Sequence, residues 1–301
     1  MFDIIVVGGG PAGLTAALYA RRQNKSVLVL EKNSFGGQTV FSPKIENYPG
    51  FIEMSGMEFS DKLVDQVLNQ GADLRMENVL RIENGDNIKK VITDCDEHEG
   101  RAVIFATGAK HRLLGLEREE DFIGCGISFC AVCDGAFYSD KSVAVIGGGN
   151  SALQEAILLS ESCKAVHIIQ NLPTMTGEDK LVKILENKDN VDFTFNTVVS
   201  GLIGDEDLTA ILLHNIETNE DTKLDIDGMF VAIGLVPDND SVGNLAELDA
   251  RGYLVSDEST RTSCEGIFAA GDCRTKEVRQ IATAISDGAT AALAACKYLE
   301  S

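Results

Sequence analysis

No apolar run in this chain of 301 residues approaches the ~20 residues of a membrane-spanning helix, so no membrane segment is expected. No basic stretch precedes the first apolar run, Phe2 to Val7, which argues against a secretory leader and for a cytoplasmic setting. Positive charge is scarce. Lys and Arg number 26 against 47 Asp and Glu, a formal net charge of −21, which disfavours nucleic acid and anionic membranes as partners. The deficit is local. Residues 1–116 hold 13 Lys and Arg against 15 Asp and Glu, residues 117–244 hold 7 against 23, and residues 245–301 hold 6 against 9. No arginine occurs between Arg118 and Arg251. Eight cysteines, six of them scattered, do not make a disulfide scaffold, and His98, His111, His167 and His214 share no ligand spacing. The remaining composition, 44% hydrophobic and 24% charged, is globular and sized for about two domains.

Phe2–Val7 is a continuous β-branched run bounded by Gly8-Gly9-Gly10, the pattern of a buried parallel strand. An Ala/Leu-rich helical stretch follows from Pro11 to Gln23, and a second apolar run, Ser26 to Leu30, ends on Glu31. The arrangement recurs about 140 residues later: Ser142–Ile146, Gly147-Gly148-Gly149, a helix from Ser151 to about Glu161, then Ala165–Ile169. Two βαβ units predict an α/β chain of two doubly wound, Rossmann-like three-layer domains. Val103–Ala109 and Gly228–Pro237 read as corresponding strands, and Gly266–Asp272 as a late strand before the helix Ile281 to Leu299. That late strand lacks a third glycine fingerprint, so it completes the first domain. The expected division is 1–116 with 245–301 as one discontinuous domain, and 117–244 inserted.

Gly8-x-Gly10-x-x-Gly13, placed between strand and helix with Glu31 18 residues on, is a dinucleotide fingerprint in its required context. The glycines let backbone N–H groups approach a pyrophosphate, and the carboxylate accepts from a ribose hydroxyl. Gly147-x-Gly149-x-x-Ala152 repeats the pattern, but Ile169 is followed by Gln170-Asn171, with no acid for a 2′-hydroxyl and no arginine for a 2′-phosphate. NADP or NAD binding there is therefore doubtful. Cys130-x-x-Cys133, followed by Asp134, reads as a dithiol–disulfide couple with a carboxylate able to carry its proton. Zinc would need a second ligand pair, and Cys125 is the only nearby candidate, so no metal is expected. Cys95, Cys163, Cys264, Cys273 and Cys296 read as small buried hydrophobes, and Glu117–Asp121 and Asp205–Asp207 as solvated loops.

These elements in this order resemble the low-molecular-weight thioredoxin reductases along nearly the whole chain. The matching motifs are Gly8–Gly13, Gly36-Gly37-Gln38, Glu46-Asn47-Tyr48-Pro49-Gly50, Ala106-Thr107-Gly108-Ala109, Cys130–Tyr138, Val231–Gly234, and Phe268–Asp272 with Arg279-Gln280. The resemblance implies a homodimer with FAD in the discontinuous domain, held by Gly8, Gly10, Ala12, Gly13, Glu31, Gly37 and Gln38. It also implies Asn47, Thr107, Gly108 and Gly271 near the cofactor, Asp272 on the ribityl chain, and Arg279, Gln280 and Ile281 leading into a helix that faces the flavin. Cys133 would sit against the flavin, Cys130 would attack thioredoxin, and Asp134 would act as acid/base.

Two departures matter. Relatives that use NADPH carry a His-Arg-Arg stretch where this chain has His167-Ile-Ile-Gln170-Asn171, and a thioredoxin-docking Arg is Cys125 here. The chain is most similar to the pyridine-nucleotide-independent, ferredoxin-linked flavin thioredoxin reductases. An NADPH- or NADH-dependent thioredoxin reductase, a flavin dithiol oxidase and an FAD-binding redox sensor stay open. An acidic ferredoxin would meet the FAD domain at Lys44, Lys110-His111-Arg112, Arg274, Lys276 and Arg279.

Overall fold

A computed structural model describes residues 1–42, 45–85 and 87–300. They divide into two compact units, Met1–Lys110 with Val236–Ser301, and His111–Leu235. The crossings therefore fall six and nine residues earlier than the expected 116/117 and 244/245. Both lie inside short strands, Ala109–His111 and Leu235–Pro237, that pair with one another. No composition shift marks these paired strands.

In the discontinuous unit the parallel strands Asp73–Met76, Val27–Glu31, Phe2–Val7, Glu97–Phe105 and Ile267–Ala269 lie in that spatial order. The first half of Glu97–Phe105 also pairs antiparallel with Lys89–Thr93, which pairs with Val79–Asn84. Side chains alternate across the sheet. Ile4, Val6, Val27, Val29 and Ile104 face the helices Pro11–Arg22 and Ile281–Leu299, and Ile5, Val7, Leu28, Val103 and Phe105 face the second core with Val242 and Leu254. The two helices are Ala-rich where they meet. A Cβ on Gly288 would lie 2.2 Å from the carbonyl oxygen of Ala12, so only glycine permits this approach.

In the inserted unit the parallel order is Ile127–Ser128, Gly228–Val231, Ser142–Ile146, Ala165–Ile169 and Val191–Thr194. Asn150–Ser160 and Asp179–Glu186 cover one face of this sheet. Its other face is covered by an antiparallel meander, Thr197–Gly204, Leu208–Asn215 and Glu220–Asp225, through Val199, Leu208, Ile211 and Leu213. The run Gly228–Pro237 is not one strand: it breaks into Gly228–Val231 and Leu235–Pro237 around Gly234, whose φ is +108°. Strand Glu97–Phe105 ends before Ala106, and Gly108 turns at φ +71°. Cys163, Cys273 and Cys296 are buried as expected, whereas Cys95 is exposed in a turn capped by Thr93 and Cys264 is half-buried. Among the described residues no helix is long and apolar enough to cross a membrane.

Candidate functional site

In the discontinuous unit the first glycine turn is sterically forced. Gly8 has φ +107° and a Cβ there would lie 2.3 Å from the Ala106 carbonyl oxygen; a Cβ on Gly13 would lie 1.9 Å from that of Gly8. Gly10 differs. Its φ is −77°, and a Cβ would meet only the Gly37 Cα, at 3.9 Å, so glycine here keeps space open beside the helix start. That helix begins with Pro11, has no capping side chain and no acid in its first turn, and so presents partial positive charge to an anion. Glu31 accepts the Gly9 N–H at 2.7 Å and the Asn33 N–H at 2.9 Å, which holds its carboxylate at the rim of the turn.

Three further segments meet this turn. Gly36 donates to the Gly9 carbonyl at 2.8 Å, and with Gly37 in the left-handed region it starts the short helix carrying Gln38. Ala106 abuts Gly8, and just beyond it a Cβ on Gly108 would meet nothing within 4 Å. Gly271 lies against Ala12, and its N–H donates to Asp287 at 2.9 Å. Asp272 follows on the turn Gly271–Cys273, with Oδ1 buried and without a partner among the described residues; burial pushes its carboxyl up. Asn47 donates to Gln280 at 3.1 Å, and Gln280 caps the helix that begins at Ile281 through a reciprocal pair with Thr283.

Sequence reasoning missed Asn239. This buried side chain accepts the Thr107 hydroxyl at 2.8 Å and donates to the carbonyls of Gly252 and Cys273, both at 2.9 Å. It stands 132 residues from Thr107, and no local pattern marks it.

The basic residues expected to dock a donor are mostly unavailable. Arg274 is 1% exposed and the Lys276 side chain 6%, and both pair with buried Asp287, at 2.8 and 2.9 Å. Arg279 stacks over Tyr253 at 4.4 Å. Lys110 pairs with Asp238 at 3.2 Å, and Asp238 also takes Lys32. Lys44 lies outside the described residues. Within the inserted unit, His111 is stacked on Phe129 at 4.6 Å, and burial pushes it down to about 4, so it is uncharged at neutral pH; Arg112 is exposed. The expectation of a docking cluster is corrected accordingly: most of these cations have internal anions, carbonyls or rings as partners.

In the inserted unit Cys130 and Cys133 form a disulfide across the helix Ala131–Asp134, anchored by buried Ala131. The Asp134 N–H donates to the Cys130 carbonyl at 3.0 Å. One Asp134 oxygen accepts from Ser128, at 2.6 Å; the other, Oδ1, is buried and unpartnered among the described residues, and burial pushes this carboxyl up. The second glycine turn repeats the backbone of the first, with Gln170 where the first has Glu31. A Cβ on Gly148 would lie 2.2 Å from Gln170 Nε2, and Gln170 is buried, bonded to the Thr174 carbonyl and the Asn171 N–H. The N–H groups of Thr176 and Gly177 donate to the Gly148 carbonyl at 2.8 and 2.9 Å, and Asn150 exchanges two hydrogen bonds with Glu178. No Lys or Arg lies from 165 to 179.

An open cradle suited to a dinucleotide and a redox disulfide beside a buried carboxyl define a flavin-type disulfide oxidoreductase. The family model described as pyridine nucleotide-disulphide oxidoreductase matches residues 2–288. The chain is 38% identical over 301 residues to a thioredoxin reductase of Listeria innocua, covering 100% of this chain and 94% of that one. It is 39% identical over 300 residues to one of Treponema pallidum, covering 99% and 97%. A thioredoxin reductase structure from Streptococcus pyogenes matches with a TM-score of 0.94 and 39% identity, covering 100% and 98%. The chain belongs to the pyridine nucleotide-disulphide oxidoreductases and, within them, to the low-molecular-weight thioredoxin reductase family. FAD is the cofactor of that family. The discontinuous unit fits it: the uncapped helix start suits a diphosphate, and the orphaned Asp272 oxygen suits a hydroxyl donor.

Proposed function

We propose that this chain reduces thioredoxin disulfide with electrons that enter from reduced ferredoxin rather than from NADPH. The observation that carries the choice of donor is the surround of the second glycine turn. Buried Gln170 fills the position that Glu31 holds in the first turn, Glu178 adds a carboxylate, and residues 165–179 supply no Lys or Arg for a 2′-phosphate. FAD, when bound, supplies the two-electron store that joins a one-electron donor to a two-electron disulfide. The chain's own residues do the rest. Gly8–Gly13 and Glu31 hold the dinucleotide, and Asp272 orients it. Cys130 attacks the partner disulfide, Cys133 resolves the mixed disulfide, and Asp134 moves the proton between sulfurs. The homodimer that the resemblance implies belongs to the same reading, as does a cytoplasmic setting.

Anaerobic mixing of the FAD-loaded protein with NADPH, NADH or photoreduced ferredoxin, each alone, tests the donor. Ferredoxin is expected to bleach the flavin, and neither nucleotide at micromolar concentration. Rapid bleaching by NADPH with no response to ferredoxin would overturn the reading, and rapid reoxidation by oxygen in place of thioredoxin turnover would favour an oxidase.

A further inference from the structure

Ser128 touches both ends of the redox turn. Its hydroxyl oxygen accepts the Cys130 N–H at 3.1 Å and donates to Asp134 Oδ2 at 2.6 Å. Ser128 is buried on the short strand Ile127–Ser128, whose register places it opposite Phe230 in the central sheet, so its own position is held by the backbone. A serine hydroxyl has one proton and two lone pairs. With one lone pair committed to the Cys130 N–H, its proton is directed to Asp134. The carboxyl is thereby clamped by Oδ2, and Oδ1 is left buried with no partner among the described residues.

We propose that Ser128 is a positioning residue for the thiol exchange: it holds Asp134 so that Oδ1 is the oxygen that gives and takes the proton. The proposal rests on the reading of Asp134 as the acid/base above. In the reduced chain the Cys130 thiolate attacks the partner disulfide, one partner sulfur leaves, and Oδ1 protonates it. Oδ1 then accepts the Cys133 thiol proton, and the Cys133 thiolate attacks Cys130 Sγ. The Cys130–Cys133 disulfide forms and the second partner sulfur leaves as thiolate. Two electrons pass to the partner, one proton goes with them, and Asp134 ends as it began.

Burial raises the Asp134 carboxyl and the Ser128 hydrogen bond opposes it, because that bond is stronger to the charged form. The other titratable groups nearby are Tyr138 on the next turn, pushed up to about 12 by burial and by Asp134, and Glu155 on the packed helix Asn150–Ser160, pushed up to about 8 by burial. Cys125, Asp207 and Asp227 act on Tyr138, and Lys141 lies 5.5 Å over its ring.

The test uses the FAD-loaded protein and reduced thioredoxin, with alkylation and mass spectrometry following the opening of Cys130–Cys133 between pH 5.5 and 9.5. This half-reaction needs no external donor. Asp134→Asn is expected to remove one limb of the pH profile. Ser128→Ala should move that limb up by about one pH unit, since loss of a hydrogen bond to a carboxylate favours its protonated form. Ser128→Thr, which keeps the hydroxyl, should leave it in place. Ser128→Ala also removes the acceptor of the Cys130 N–H, which Ser128→Thr keeps, and circular dichroism checks its fold. If Asp134→Asn leaves the profile unchanged, the acid/base reading fails. If Asp134→Asn removes the limb but Ser128→Ala leaves it at its original pH, or Ser128→Thr shifts it as far as alanine, the Ser128 proposal alone is overturned.

Discussion

At the first glycine turn Gly10 faces open space, the helix behind it begins without an acid or a capping side chain, and Glu31 lies at the rim. At the second turn Gly149 is equally open, the helix behind it also begins without an acid or a capping side chain, and a loop bonds back onto Gly148 as Gly36 does onto Gly9. What differs is Gln170 in place of Glu31, with Glu178 held by Asn150. The local backbone is alike in both: Gly8 and Gly147 have φ +107° and +129°, and each would drive a Cβ into a carbonyl oxygen of a neighbouring strand end. A fingerprint therefore specifies the strand–turn–helix corner, and the residues after the second strand decide what that corner can hold. The unit with Glu31 at its corner holds the cofactor motifs, and the unit with Gln170 at its corner carries the disulfide.

The sharpest way to break this division of labour is at the cysteines. Cys130→Ser and Cys133→Ser should each abolish thioredoxin turnover while FAD content stays at the wild-type level, because neither residue belongs to the unit that carries the cofactor motifs. Under the proposed roles, Cys133→Ser should also accumulate a stable mixed disulfide between Cys130 and thioredoxin, with no thiol left to resolve it. Trapping by Cys130→Ser instead would reverse the two roles, and turnover by either single variant would remove the dithiol relay.

Matched alanines test the corners themselves. Gly10→Ala creates no clash within the chain, yet its methyl group enters the space where a diphosphate would approach the helix start. Most of the bound FAD should be lost, with the fold retained by circular dichroism. Gly149→Ala would place its Cβ 3.9 Å from Thr176 Oγ1, an ordinary contact, and should change neither FAD content nor turnover. Equal FAD loss in both variants would mean that the two corners are not functionally distinct.

Much of this contrast was legible in the chain because it is local. Strand, glycine turn, helix and terminal acid lie within about 30 residues, and the Cys pair and Asp134 are neighbours. The helix Ile281–Leu299 was placed to the residue for the same reason. Features made by distant pairing were not legible. Arg274 and Lys276 read as surface cations until Asp287, 13 and 11 residues away on the last helix, buried them as an ion network. The meander that covers one sheet face alternates apolar and polar residues weakly, and no composition shift marks the division at 110/111 and 235/236, which falls within the paired strands Ala109–His111 and Leu235–Pro237. Ser128 and Asp134 are six residues apart, on a strand and a helix, a spacing that neither the period of 2 nor that of 3.6 brings together.

The smallest expected effect concerns a carboxyl in each unit. Glu31 is satisfied by two backbone N–H groups, whereas Glu155, on the helix behind the second turn, has a buried Oε2 with no partner among the described residues. Burial alone pushes the Glu155 carboxyl from 4.5 up to about 8. Near neutral pH it carries a proton in the folded chain and none in the unfolded chain. The folded state then binds more protons, so stability from this group is full below about pH 4.5 and falls as pH rises toward 8. Glu155→Gln keeps the shape and removes the charge. Its apparent Tm should exceed that of the unaltered protein by about 2–4 °C at pH 8.5, the shift that ~1 kcal/mol produces in a chain of this size. Below about pH 5 the two should melt together. Scanning calorimetry at both pH values checks the sign: a gain of equal size at each pH, or a loss at pH 8.5, would show that Glu155 is charged and solvated in the folded protein, and that the helix behind the second corner tolerates an acid as readily as the rim of the first.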